Sequence, residues 1–126
     1  MAQLIIPLEE AIRVFQASVQ LPPIVRRVEP TAQGPRVVLR LSPLMREFGV
    51  TIRLLRYDGS AAHFALDGMP NFLNLNTMLK PPEGIAFNGD RMTIQPAALL
   101  GQIGVRGLSV TGVTFEVGAY HLTLSA

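Results

Sequence analysis

The chain has 126 residues, of which 48% are hydrophobic and only 16% charged, against about 25% charged in ordinary soluble domains. It contains no cysteine, which excludes a disulfide framework and a thiolate metal site. No run approaches the roughly 18 apolar residues of a spanning helix, and the first ten residues lack the basic segment of a secretion signal. The expectation is one domain over residues 1–126, small, cytoplasmic and bacterial in type.

Pro7 opens the first predicted element. Leu8, Ala11, Ile12, Phe15 and Val19 recur at helical spacing behind it, with Glu9 and Glu10 in the first turn. That pattern predicts an amphipathic helix of about three turns, stopped by Leu21-Pro22-Pro23. A hairpin should then join Ile24–Val28 to Arg36–Leu41 through the loop Glu29–Pro35, with Arg36, Val38 and Arg40 facing away from Val37, Leu39 and Leu41. Ser42-Pro43, followed by Leu44 to Phe48 and Gly49, has the cap, first-turn proline and closing glycine of a helix of about one to two turns.

Around Asp58-Gly59-Ser60 a three-residue loop pairs Leu54 with Phe64, Ile52 with Leu66 and Arg56 with Ala62. It leaves Leu55 and Tyr57 on the outer face. Asn71 caps a predicted helix from Phe72 to Lys80, and Pro96 opens another from Ala97 to Ile103. Two-residue turns are predicted at Asn88-Gly89 and Gly118-Ala119. The first puts Ile85, Phe87, Met92 and Ile94 on one face. The second gathers Val113, Phe115, Val117, Tyr120, Leu122 and Leu124, and sets His121 across from Glu116.

An offset of about 53 residues aligns Leu39 and Leu41 with Met92 and Ile94, Pro43 with Pro96, Arg53 with Arg106 and Gly59 with Gly112, a faint internal pseudo-repeat. The element order predicts an α+β fold. Its sheet is curved, mostly antiparallel and built from hairpins, with roughly six to eight strands and short proline-led helices on its apolar face.

Chemistry-bearing patterns are scarce. The serines lack a nucleophile-elbow context, the glycines form no phosphate loop, and Glu116 with His121 reads as a cross-strand pair on a wet face. No catalytic residue, metal site or cofactor is assigned, and the chain is not read as an enzyme. Two surfaces stand out instead. The apolar one comprises Ile12 and Phe15 on the first helix with Phe72, Leu75, Met78 and Leu79 on the third, while the outer Leu55–Tyr57 region adds to the surplus.

The second surface is basic: Arg36, Arg40, Arg53 and Arg56, in a stretch where eight arginines face four glutamates. Nucleic-acid binding would call for more basic residues interleaved with aromatics, and the chain has no Trp and two Tyr. Nucleic acid is therefore not an expected partner. A chain this short buries only about two-thirds of the surface its unfolded form exposes, so the apolar surplus needs a cover. The leading expectation is a non-enzymatic binding module for an apolar or amphipathic, lipid-like ligand or an anionic membrane surface, with the arginines meeting the head group. The alternative is an assembly protein whose apolar surface forms a homo-oligomer interface.

Overall fold

Strand pairing between the two ends of the chain divides the protein into two sheets. The structure is a computed structural model and describes residues 2–18, 21–70, 81, 83–102, 104 and 107–125. In chain order the elements are β1 (Ala2–Pro7), α1 (Leu8–Ser18), β2 (Val25–Thr31), β3 (Gly34–Leu39), β4 (Phe48–Tyr57), β5 (Ala62–Asp67), β6 (Ile85–Asn88), β7 (Arg91–Ile94), α2 (Pro96–Gln102), β8 (Ser109–Glu116) and β9 (Ala119–Ser125). A six-stranded sheet runs β2-β3-β4-β5-β7-β6 and a three-stranded sheet runs β1-β9-β8. All pairs are antiparallel. This is a mostly antiparallel fold with few short helices, broadly α+β, built from two sheets rather than the one expected.

The core lies on one face of the larger sheet. Leu39, Val50, Ala62, Phe64, Leu66 and Met92 are buried there, and Tyr120 of β9 packs against them from the smaller sheet. Phe64 stands between Leu54 and Met92, and Met92 meets Phe87, so alternate residues of four strands close over one another. α1 follows β1 without a loop and lies against β1, β2 and β3. Its first residue, Leu8, is buried and donates its N–H to the Gly118 carbonyl at 2.9 Å.

Several local expectations are corrected. Residues 2–7 form a strand on β9; the short apolar run is too brief to show alternation against the stronger helix signal behind it. The β2–β3 loop is only Ala32-Gln33, because Thr31 folds it back: its hydroxyl donates to the Gly34 carbonyl and accepts from the Gln33 N–H. The Ser42-Pro43 signal yields a turn and no helix. Ser42 does cap, accepting from the Leu44 N–H at 3.2 Å, but Arg40 takes the Pro43 and Met45 carbonyls at 2.6 and 3.1 Å that a continuing helix would need.

Both later hairpins turn one residue away from the predicted place, the first at Gly89-Asp90, one residue later, and the second at Val117-Gly118, one residue earlier. Asn88 faces Arg91 and Glu116 faces Ala119, so His121 lies opposite Thr114 rather than Glu116. The inward faces keep their residues except Val117, which becomes part of the turn at φ 51°. In the Asp58 hairpin the pairs Ile52–Leu66 and Leu54–Phe64 are as predicted, but a bulge at Leu55 pairs Arg56 with His63 and Tyr57 with Ala62. One extra residue reverses the alternation, carrying Tyr57 from the outer face to the core face. The predicted helix from Phe72 to Lys80 lies outside the described residues. Of the pseudo-repeat's matched glycines, Gly59 occupies a hairpin loop and Gly112 lies inside β8.

Candidate functional site

An opening in the described structure arises where β4 loses a neighbour. β3 pairs with β4 only from Leu39–Phe48 to Arg36–Thr51. The next residue of β3 is Pro35, which has no N–H to give the ladder. Gly34 then passes so close to the Ile52 carbonyl that a Cβ there would collide with it. From Arg53 to Tyr57, β4 is therefore without a strand on that side among the described residues.

β8 is likewise paired only with β9, and it lies alongside this stretch of β4. The Tyr57 hydroxyl donates to the Val110 carbonyl at 2.7 Å, pinning the two strands together near one end. The result is an open cleft of about 650 Å³ bounded by Arg53–Tyr57, Thr111–Phe115 and the Ala32-Gln33 turn. That volume falls within the range typical of small-molecule sites, about 300–1,000 Å³.

Its lining is chemically two-sided. Leu54, Leu55, Tyr57, Val113 and Phe115 supply apolar surface, and among the described lining residues the charged ones are Arg53 and Arg56. The Phe115 ring rests on Tyr120 with centroids 4.8 Å apart. Burial pushes the Tyr120 phenol up to about 12. Burial also raises Tyr57, with the Asp58 charge adding to the effect.

The four arginines of the expected basic surface have different surroundings. Arg36 Nη1 donates to Glu29 Oε1 at 2.6 Å, and its side chain crosses Gly49, where a Cβ would collide with it. Arg40 holds the Pro43 and Met45 carbonyls. Arg53 binds Asp67 through Nε at 2.8 Å and Nη2 at 3.3 Å, which holds the Asp67 carboxyl below the usual range. Arg56 alone of the four makes no side-chain hydrogen bond or ion pair among the described residues. The structure thus brings Arg53 and Arg56 to one cleft and leaves Arg36 and Arg40 outside it.

Of the apolar set, Ile12 is half-buried on α1, while the Phe15 side chain and residues Phe72, Leu75, Met78 and Leu79 lie outside the described residues. Val113 and Phe115, expected on the covered face of the last hairpin, and Leu55, counted in the apolar surplus, line the cleft although none was expected as a site residue. Only exposed Leu55 had a signal, as an apolar residue on a face expected to be wet.

One polar cluster resembles catalytic geometry. His63 Nε2 stands 2.7 Å from Asp58 Oδ2, and Asp58 Oδ1 accepts from the Ser60 N–H, the Ala61 N–H and the Ser60 hydroxyl. His63 first, and then the backbone N–H groups, hold the Asp58 carboxyl well below its usual range. The serine hydroxyl is spent on the carboxylate rather than on the imidazole, so no nucleophile–base pair exists. The cluster is a loop closure of the kind aspartate forms in turns. Among the described residues no three His, Asp or Glu side chains come together as a metal site, and no helix is long and apolar enough to cross a membrane.

No family model matches the chain, and no curated protein or solved structure is similar to it.

Proposed function

We propose that the protein is a non-enzymatic binding module, one domain, whose β4–β8 cleft takes an amphipathic anion. The observation that carries this reading is the lining: Arg56, a guanidinium without a partner among the described residues, beside Leu55, Tyr57, Val113 and Phe115, with no acid among the described lining residues. A fatty-acid-like molecule would place its carboxylate at Arg56, where a charge-assisted hydrogen bond forms, and its chain along the apolar wall.

In this reading the six-stranded sheet is curved, the Leu55 bulge adding local twist, and nothing depends on the 53-residue repeat. The protein is placed in the cytoplasm. The same head-group chemistry occurs on an anionic membrane surface, which is the second source of ligand to be tested.

Fluorescence titration with dansyl-labelled undecanoic acid, alongside co-sedimentation with phosphatidylglycerol vesicles, tests the reading. Saturable binding of the free acid is expected, weakened about tenfold or more by Arg56→Glu, since hydrogen bonds to charged groups contribute about 1.5–3 kcal/mol. Binding to vesicles alone would assign the cleft to a membrane surface. Binding of neither probe, or binding indifferent to Arg56→Glu, would overturn the proposal.

A further inference from the structure

Among the described residues the two sheets end in four outer strands, and they are not alike. β2 carries Arg26, Arg27, Glu29 and Pro30, with a bulge between Val25 and Arg27. β6 has only four residues. β8 is interrupted by a bulge between Val110 and Gly112. These are devices by which proteins keep an open sheet edge from pairing with other chains: charge, proline, brevity and irregularity.

β1 has almost none of them. Its sequence is Ala-Gln-Leu-Ile-Ile-Pro, without a charge and with proline only at its end. It pairs with β9 over six consecutive residues with no register shift. Among the described residues its other edge has no strand. Leu4 is 46% and Ile5 55% exposed, and because they are consecutive they lie on opposite faces of the sheet. The strand thus offers both a regular row of backbone donors and acceptors and apolar side chains above and below it.

We infer that β1 is the site at which a second copy of this chain adds, strand to strand and antiparallel about a twofold axis. A row of free backbone groups is complemented by another strand, which points to a polypeptide occupant. An antiparallel twofold contact sets residue i against j and j against i, so a charge meets its own sign at the axis and elsewhere needs a complementary residue opposite. β1 carries none and so meets no like charge in any register, whereas β2 sets Arg26 and Arg27 against their counterparts in every register with the axis beside them. The three-stranded sheet would then continue across the axis as β8-β9-β1 and its symmetry mate, leaving the β4–β8 cleft open on each copy. This inference stands apart from the cleft: failure of the fatty-acid titration leaves it intact, and the reverse holds.

Sedimentation velocity over a dilution series of the full chain is the test, with Ile5→Val as the conservative control and Ile5→Lys as the variant that places a charge in the apolar contact. A reversible dimer is expected for the wild type and Ile5→Val, with association weakened at least tenfold by Ile5→Lys. Because the chain has no cysteine, Ile5→Cys provides a second readout: a short bis-maleimide should join two copies through it, and should not join Arg27→Cys. A monomer at every concentration, an open-ended series of larger species, or a dimer linked equally well through Arg27→Cys would overturn the inference.

Discussion

In the six-stranded sheet Val38 and Ala65 are each only 1% exposed, whereas in the three-stranded sheet every residue of β1 except Ile6 is exposed. Both regions are rich in apolar residues, so composition does not separate them; their neighbours do. β3, β4 and β5 each have a strand on either side and contribute to a core that Tyr120 covers from the other sheet. β1 has β9 on one side and nothing on the other among the described residues. The low charge of the chain is therefore not spread evenly. Part of it is absorbed by an ordinary core, and part sits on a strand edge and in a cleft where apolar groups meet water.

The largest expected effect tests that contrast. Phe64→Ala removes a ring that is 5% exposed and surrounded by Leu54, Met92 and their neighbours, and should destabilise by about 3–5 kcal/mol. Ile5→Ala, measured by urea unfolding at the lowest practicable concentration, should cost less than about 1 kcal/mol. Equal losses would mean that β1 is covered after all.

The next effect has the opposite sign. Val117 is fully exposed and sits at φ 51°, a conformation that costs an ordinary L-residue about 1–2 kcal/mol and is worse for a β-branched one. Val117→Asn, suited to the first position of such a turn, should raise the urea midpoint by about 1 kcal/mol in stability. Tyr57→Phe follows. Loss of the bond to the Val110 carbonyl should cost about 0.5–1.5 kcal/mol and loosen the junction of the two sheets, seen as faster amide exchange at the β8 end of the cleft.

The smallest effect is that of pH. Arg36, His63 and Arg53 hold Glu29, Asp58 and Asp67 below their ordinary values. A carboxyl lowered on folding adds stability above its unfolded value of about 4 and loses it as pH falls through the folded value. The urea midpoint should thus be lower at about pH 3 than at about pH 6. Tyr120 works at the other limit: its phenol is raised to about 12, so its contribution is complete below about pH 10 and is lost above that as the unfolded tyrosine ionises.

Much of the fold was legible in the sequence. Pro96 starts a helix because a fixed φ and a missing N–H suit a first turn, and α1 begins directly after Pro7, which closes β1. The period-two pattern of Phe115, Tyr120 and Leu122 marks one face correctly even though the turn lies a residue away, because a hairpin shifted by one residue in both strands keeps the same alternation. What escaped was whatever a single extra residue decides. The bulge at Leu55 leaves no compositional trace, yet it moves Tyr57 onto the core and creates its bond to Val110.

The candidate site was half legible for the same reason. Arg53 and Arg56 stand out by charge, but Arg36 and Arg40 look identical in sequence. Only the positions of Glu29 and of two turn carbonyls show that these two are already engaged. Val113 and Phe115 follow a perfect alternation, and nothing local tells that β8 is the outer strand.

Amide hydrogen exchange of the free protein and of the protein saturated with dansyl-labelled undecanoic acid tests the cleft most directly. The account predicts slowed exchange concentrated at residues 53–57 and 111–115, the two strand segments that line it, with little change in β5 and β7. Protection that instead falls outside those segments, or no difference between the two states at saturation, would contradict it.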